Sequence, residues 1–252
     1  MILEVQNLSK TFGGLRAINN LSFSIRKHEI MGIIGPNGSG KTTLFNLLTG
    51  FLRPTEGKVM FQGQSIDSLP IHKIAQRGVT RTFQVTRIIK EASLLNNVMM
   101  GLLPTTQHGV WDALISQRKK EDQRFKHRCW EILKMVDLEE VSAHLAGELD
   151  QEQQKRLSIA IAMATNPQLL LLDEPTGGIN VEEIHKLTKI IRSIWAAGVT
   201  VCLIEHKMEM VTELCQRIMV LNYGEKIAEG TPEEVMRNEN AIRVYLGEEY
   251  VA

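Results

Sequence analysis

The run Gly35-Pro36-Asn37-Gly38-Ser39-Gly40-Lys41-Thr42 constrains this chain more than any other stretch. Its glycines let the backbone curl tightly, so that successive N–H groups point inward. Before it stands Ile30-Met31-Gly32-Ile33-Ile34, a short and nearly continuous apolar run of the kind that forms a strand covered on both faces. After it, from Lys41 to Gly50, Leu44, Leu47, Leu48 and Phe51 fall on one helical face, and Gly50 reads as a C-terminal stop. Strand, glycine-rich turn and helix in that order make a phosphate loop. Inward amides and the positive end of the helix dipole then face anionic oxygens. Lys41 is expected to reach the β- and γ-phosphates of a nucleotide, the Thr42 hydroxyl to ligate Mg²⁺, and Thr43 to join the nucleotide contacts.

A phosphate loop needs a carboxylate at the end of a neighbouring buried strand, to hold the metal through its water shell. Leu169-Leu170-Leu171-Leu172 followed by Asp173-Glu174 meets that need. Asp173 is placed where ligands bind in open α/β sheets, at a strand's C-terminal end. Glu174 is placed to polarise an attacking water as general base. Taken alone, two acids ending a strand read equally well as exposed loop charges; the complete phosphate loop decides between the readings.

Other strand signals are Leu21 to Ile25, after a Gly13-Gly14 break, Thr200 to Ile204, and Arg217 to Leu221. Helical stretches separate the later ones, so the pattern argues for a mainly parallel sheet with helices on both faces. Residues 85–165 change character and turn helical, most clearly at Trp111 to Ser116 and Asp122 to Val136, where Phe125, Trp130, Leu133 and Val136 share helical spacing. Gln117 to Lys126 is strongly charged and reads as a solvated helix face. The expected organisation is one domain over 1–252, with an α/β core from 1–84 and 166–252 and an inserted helical subdomain over about 85–165.

Charge narrows the function classes. The 29 basic and 29 acidic residues cancel, whereas a nucleic-acid binder shows a basic excess, so no nucleic-acid partner is expected. Cys129, Cys202 and Cys215 have neither paired nor metal-like spacing, which fits a reducing compartment, and Cys202 reads as a small buried hydrophobe. The start of the chain lacks a signal-peptide pattern. No window approaches the roughly 20 apolar residues that span a bilayer, so work at a membrane would require another chain.

With these motifs in place, the sequence resembles the ATPase subunits of ABC transporters over nearly its whole length. The resemblance implies a P-loop NTPase (RecA-like) α/β core, an N-terminal antiparallel β region and an inserted helical subdomain. Gln84, in Thr80-Arg81-Thr82-Phe83-Gln84, matches the Q-loop glutamine that contacts Mg²⁺ or water. His206 matches the switch histidine that contacts the γ-phosphate, Phe12 stands where an aromatic ring meets adenine, and Thr176 to Asn180 occupy the place of the D-loop at the dimer interface. Thr11 to Ala17, Arg81 to Gln84, Asn97-Val98 and Asn222 to Pro232 are similar to the subfamily that drives branched-chain amino acid uptake. Importers of urea and ATPases that move lipopolysaccharide share many of these features.

One motif departs from the family. In place of Leu-Ser-Gly-Gly-Gln stands Leu149-Asp150-Gln151-Glu152-Gln153. The family motif reaches across a head-to-tail dimer to the partner's γ-phosphate, and its glycines avoid crowding it. Glu152 is expected to bring a negative charge there: unit charges about 4 Å apart repel by ~4 kcal/mol at an effective dielectric of ~20. Asp150 and Gln153 suit a capping box instead, giving a well-capped helix with no nucleotide contact.

The resemblance thus implies an ATP- and Mg²⁺-dependent motor at the cytoplasmic face of the inner membrane. Its partners are permease subunits, a second ATPase subunit favouring a heterodimer, and indirectly a substrate-binding protein. Permease helices are expected to dock around Gln84 and residues 85–100. Rival readings are a soluble ABC ATPase of assembly or repair, a low-turnover regulatory nucleotide-binding subunit, and a small-molecule P-loop kinase that would leave Gln84 and His206 without roles.

Overall fold

The computed structural model describes residues 1–82, 88–101 and 118–246. Strands β1 (Leu3–Phe12) and β2 (Leu15–Ile25) form a hairpin around Gly13-Gly14, with Phe12 and Leu15 as its last pair. After β3 (Ile30–Ile34), β4 (Glu56–Phe61) adds to the other edge of β1 and β5 (Gln64–Ser65) to β4, giving an antiparallel sheet in the order β2-β1-β4-β5. The strand signals stop at Ile34 until Leu169, and β4 shows why. Only Val59 and Phe61 of its residues are buried, too few to print an alternation.

The second sheet runs β10-β9-β3-β8-β7-β6, from β6 (Val79–Arg81), β7 (Leu169–Asp173), β8 (Thr200–Ile204), β9 (Arg217–Asn222) and β10 (Glu225–Gly230). β9, β3, β8, β7 and β6 are parallel neighbours, as the alternation of strands and helices predicts. β10 returns antiparallel to β9 through Tyr223 and Gly224, both at positive φ (45° and 78°), the conformation a tight two-residue hairpin demands. Every residue of β3, β7 and β8 is buried, as strands covered on both faces require. Register brings Ile33 beside Ile204, and Ile204 beside Asp173. The segments that leave β3, β7 and β8 therefore emerge along one rim.

Among the described residues the α-helices are α1 (Lys41–Leu48), α2 (Ile71–Gln76), α3 (Leu94–Met100), α4 (Arg118–Met135), α5 (Gln151–Ala164), α6 (Val181–Ala196), α7 (Met208–Leu214), α8 (Pro232–Met236) and α9 (Glu239–Leu246). α1 buries Leu44, Leu47 and Leu48 as expected, and Phe45 with them. Phe51 lies past the helix and is exposed, because Gly50 at φ 75° turns the chain first. In α4 the buried positions at its C-terminal end are Cys129, Ile132 and Leu133, with Val136 just beyond the helix. Phe125 and Trp130 are exposed, so the apolar face is rotated from the one expected. Trp111 to Ser116 lie outside the described residues.

Two apolar clusters cover the parallel sheet. One joins α3, α4, α5, α6 and α7 to Leu170, Leu172, Val201 and Leu203. The other joins the antiparallel sheet and α1 to Met31, Ile33, Leu169, Leu171, Cys202 and Ile204 on the opposite face. Alternate residues of β3, β7 and β8 thus feed different clusters, as side-chain alternation in a strand dictates. No helix among the described residues is long and apolar enough to cross a membrane.

Candidate functional site

The turn from β3 into α1 forms a cradle. Gly35 adopts φ 154° and Gly40 φ 105°; a Cβ on Gly35 would lie 2.0 Å from the Leu221 carbonyl oxygen, and one on Gly40 2.6 Å from that of Ala17. Both positions exclude any side chain. Gly38, at φ 81°, needs glycine for its backbone conformation rather than for space. Asn37 and Gly38 are exposed, Pro36 is half-buried, and Ser39 is buried. The Gly224 N–H donates to the Ser39 carbonyl at 2.9 Å, which pins the cradle to the β9–β10 hairpin.

Lys41 is 5% exposed, and its ammonium donates to the carbonyl oxygens of Gly35 and Pro36 at 2.8 and 2.9 Å. Burial pushes the Lys41 ammonium below the ordinary lysine range, and the charges of Glu174 and Asp173 oppose that fall. The two carboxylates therefore lie close enough to act on it. Thr42 is exposed and Thr43 half-buried in the first turn of α1. No side chain caps α1 and no acid stands in its first turn. Among the described residues the buried Ser39 hydroxyl has no hydrogen-bond partner. Open helix amides, an unpartnered hydroxyl and a buried cation around a cradle that a Cβ would fill are the donor set of an anion site. They fit the phosphates of a nucleotide and, through the hydroxyl of Thr42 and the carboxylate of Asp173, a hard oxygen-seeking cation such as Mg²⁺.

Asp173 ends β7 at 4% exposure, and a cation that sequence reasoning did not single out meets it there. The Arg81 guanidinium, from β6, lies 2.5 Å from one Asp173 oxygen and donates also to Asn46 Oδ1 at 2.6 Å. The Thr82 hydroxyl accepts from the Asp173 N–H at 3.3 Å. Glu174 follows at φ 47°, a left-handed conformation uncommon outside glycine, which turns its side chain out of the strand direction. His206 Nε2 lies 2.9 Å from Glu174 Oε1. Both side chains are partly exposed, at 35% and 27%. The structure thus brings together the two residues singled out as general base and switch histidine.

Phe12 sits at the tip of the β1–β2 hairpin, 45% exposed, with the Lys10 ammonium 5.1 Å from its ring centroid. An exposed aromatic face at a loop tip is what stacking on a base requires. Gln84 lies outside the described residues.

At residues 149–153 the chain forms the capped helix its residue types predict. Asp150 caps α5: its carboxylate accepts from the Gln153 N–H at 2.7 Å, and the Gln153 amide oxygen accepts from the Asp150 N–H at 3.1 Å. The capping box is as read. Glu152, however, does not face outward. It is 6% exposed and lies 2.7 Å from the Arg156 guanidinium, which also donates to the carbonyls of Val136 and Asp137. Glu152 is thus paired within α5, with its counterion Arg156 one helical turn on.

Glu205 was also missed. It follows β8 as Asp173 and Glu174 follow β7, so an acid at the end of a buried strand was the available signal. It is 1% exposed and accepts from the Thr176 N–H and hydroxyl.

With this geometry established, comparison with known proteins is specific. Residues 18–177 match the ABC transporter family, and residues 225–251 match the branched-chain amino acid ATP-binding cassette transporter family. The chain is 40% identical over 98% of both sequences to the high-affinity branched-chain amino acid transport ATP-binding protein BraF of Pseudomonas aeruginosa. It is 38% identical, with the same coverage, to LivG of Escherichia coli, which carries the same description. A crystal structure of the ADP conformation of an ATP-binding cassette of an ABC transporter superposes with a TM-score of 0.86 at 31% identity, covering 98% of this chain and 99% of that one.

Proposed function

The chain belongs to the ABC transporter family of ATPases, and we propose that it is the ATP-hydrolysing motor of an importer for branched-chain or similar amino acids. The observation that carries the hydrolytic reading is the meeting, at one rim of the parallel sheet, of the phosphate cradle with the Glu174–His206 pair. The transport reading rests on the relatives' names and on the match of residues 225–251.

ATP is bound by the backbone N–H groups of Gly35, Asn37, Gly38, Ser39 and Gly40, with Pro36, which has no N–H, shaping the turn, by Lys41 and by the first turn of α1 at Thr42 and Thr43, with adenine on Phe12. Lys41 exchanges its two carbonyl contacts for phosphate oxygens. Glu174 and Asp173 favour its charged form against the opposing effect of burial, and the Gly35 and Pro36 carbonyls direct it. Thr42 and Asp173, with Gln84, are the residues that would hold Mg²⁺. When bound, this ion supplies charge neutralisation on the phosphate oxygens. Arg81 takes one oxygen of Asp173 and so fixes where the other points. Glu174 accepts a proton from the water that attacks the γ-phosphate, whose bond to the bridging β-phosphate oxygen breaks to release ADP, and His206, 2.9 Å away, orients that carboxylate toward the water.

The partners of this reading are membrane permease subunits, a second ATPase chain and, indirectly, a substrate-binding protein, at the cytoplasmic face of the membrane. The permeases dock around Gln84 and residues 85–100. A heterodimer is favoured because α5 closes its own N-terminus: Asp150 and Gln153 occupy amides that the family's motif leaves for a partner's phosphate. α1, by contrast, keeps its N-terminus open.

Replacing Lys41 tests the central claim. Lys41→Ala in the full chain is expected to weaken Mg-dependent ATP affinity by about 10- to 100-fold, the worth of a charged hydrogen bond. Equilibrium titration with a fluorescent ATP analogue measures it. Unchanged affinity removes the basis of the reading. Uptake of labelled leucine by vesicles holding the assembled transporter, lost in the same variant, tests the substrate class.

A further inference from the structure

Residues 176–180 have buried anchors and an exposed tip. Thr176 and Ile179 are 1% and 6% exposed, whereas Gly177, Gly178 and Asn180 face solvent. What fastens the loop is the segment carrying His206. The Thr176 N–H and hydroxyl both donate to Glu205 Oε1, at 2.8 and 2.7 Å. Glu205 Oε2 accepts from the N–H groups of His206 and Lys207, at 3.0 and 3.3 Å. The Lys207 ammonium then crosses back to the Ile179 carbonyl at 2.9 Å.

A carboxylate with one oxygen turned to each segment is an acceptor on both sides, which no other common side chain of this length provides. The two bonds from Thr176 to Glu205 are buried, where a hydrogen bond is held more firmly, and the bonds from His206 and Lys207 are partly buried. The far end of the network is the reacting pair. The Gly177 N–H donates to the Glu174 carbonyl at 3.1 Å, and Glu174 meets His206 at 2.9 Å. The loop, the base and the histidine therefore form a closed circuit in which Glu205 is the link between the exposed tip and His206.

We infer that Glu205 is a positioning residue: it ties the 176–180 loop to the segment carrying His206 and so holds the His206–Glu174 pair in place. The inference rests on the hydrolytic reading above and adds to it the residue that fixes the histidine beside the base. A residue that only stabilised the fold would lower the amount of active protein without changing the split between binding and turnover.

The test measures ATP turnover by the assembled transporter carrying Glu205→Gln. An amide has one acceptor, so its NH₂ must face the donors of either Thr176 or His206 and Lys207, and one segment is released. The expected result is a kcat lower by about tenfold or more, as misplacement near a reacting centre produces, with the KM for ATP within about twofold. Thr176→Val, close in volume but without the hydroxyl, should lower kcat by a smaller factor and Thr176→Ser restore it. The Glu205→Gln/Thr176→Val double variant should be no slower than Glu205→Gln alone. Wild-type kcat in Glu205→Gln, or losses that multiply in the double variant, overturns the role of Glu205 alone. If Glu205→Gln does not fold, the valine and serine variants decide, and equal kcat in the two overturns it. Turnover insensitive to Lys41→Ala overturns the hydrolytic reading, and this role with it.

Discussion

Arg81 and Asp173 are both almost wholly buried and face one another, so removing either leaves an unpaired charge in a dry place. Arg81→Leu is expected to destabilise the folded chain by about 3–5 kcal/mol, the usual effect of breaking a buried pair from one side. Urea unfolding followed by tryptophan fluorescence measures it, and a shift under about 1 kcal/mol would show that the pair is not the buried contact described. The thiols make a second residue-scale prediction. Burial pushes Cys129 up to about 11 and Cys215 up to about 12, and holds Cys202 above the ordinary thiol range as well. A raised value means the folded chain keeps its thiols protonated, so the stability they contribute is complete below pH 9 and is lost as the pH rises through the folded values. At pH 8 the native chain should resist iodoacetamide, and intact-mass analysis should find all three sites labelled only after unfolding. Rapid labelling of the native chain contradicts the burial.

At the scale of elements, α5 and α1 show opposite treatments of a helix N-terminus. α1 has glycine before it and no acid in its first turn, so its amides remain available. α5 carries Asp150 as cap and Glu152 in its first turn, the latter sunk beneath Arg156. Restoring the family's glycine at this position should therefore harm rather than help. Glu152→Gly strips Arg156 of its carboxylate and adds the backbone entropy of a helical glycine, for a combined loss of about 3 kcal/mol or more. A thermal melt that stays unchanged would mean Arg156 is satisfied by the Val136 and Asp137 carbonyls alone. The capping box at Asp150 was legible because its residue types and spacing are local. The burial of Glu152 was not, since it depends on which side of α5 meets α4. The same limit explains α4, where Phe125 and Trp130 look like core by type, and Cys129 and Ile132 occupy it instead.

For the whole molecule, the proposed heterodimer would join this chain's open phosphate loop to a partner's signature and its self-capped α5 to a partner's phosphate loop, so its two ATP sites would be unequal. In that dimer Glu174→Gln in this chain should lower the transporter's ATPase rate far more than the matching substitution in the second ATPase chain. Steady-state phosphate release from the two singly substituted complexes compares them, and equal losses sink the asymmetry. What the residues dictated by themselves is local in origin. The turn at Gly35 to Gly40 needs glycine wherever it occurs, β3, β7 and β8 declare themselves as unbroken apolar runs, and Asp150 caps its own helix. Those features pointed to the cradle between β3 and α1 and to the acids beside it. The tertiary structure decided what lies opposite each of them. Arg81 is 92 residues from Asp173, Glu205 is 29 from Thr176, and Lys207 is 28 from Ile179. Such pairings arise from the order of parallel strands and the register that levels their ends, and a one-dimensional pattern carries no record of which strand becomes a neighbour.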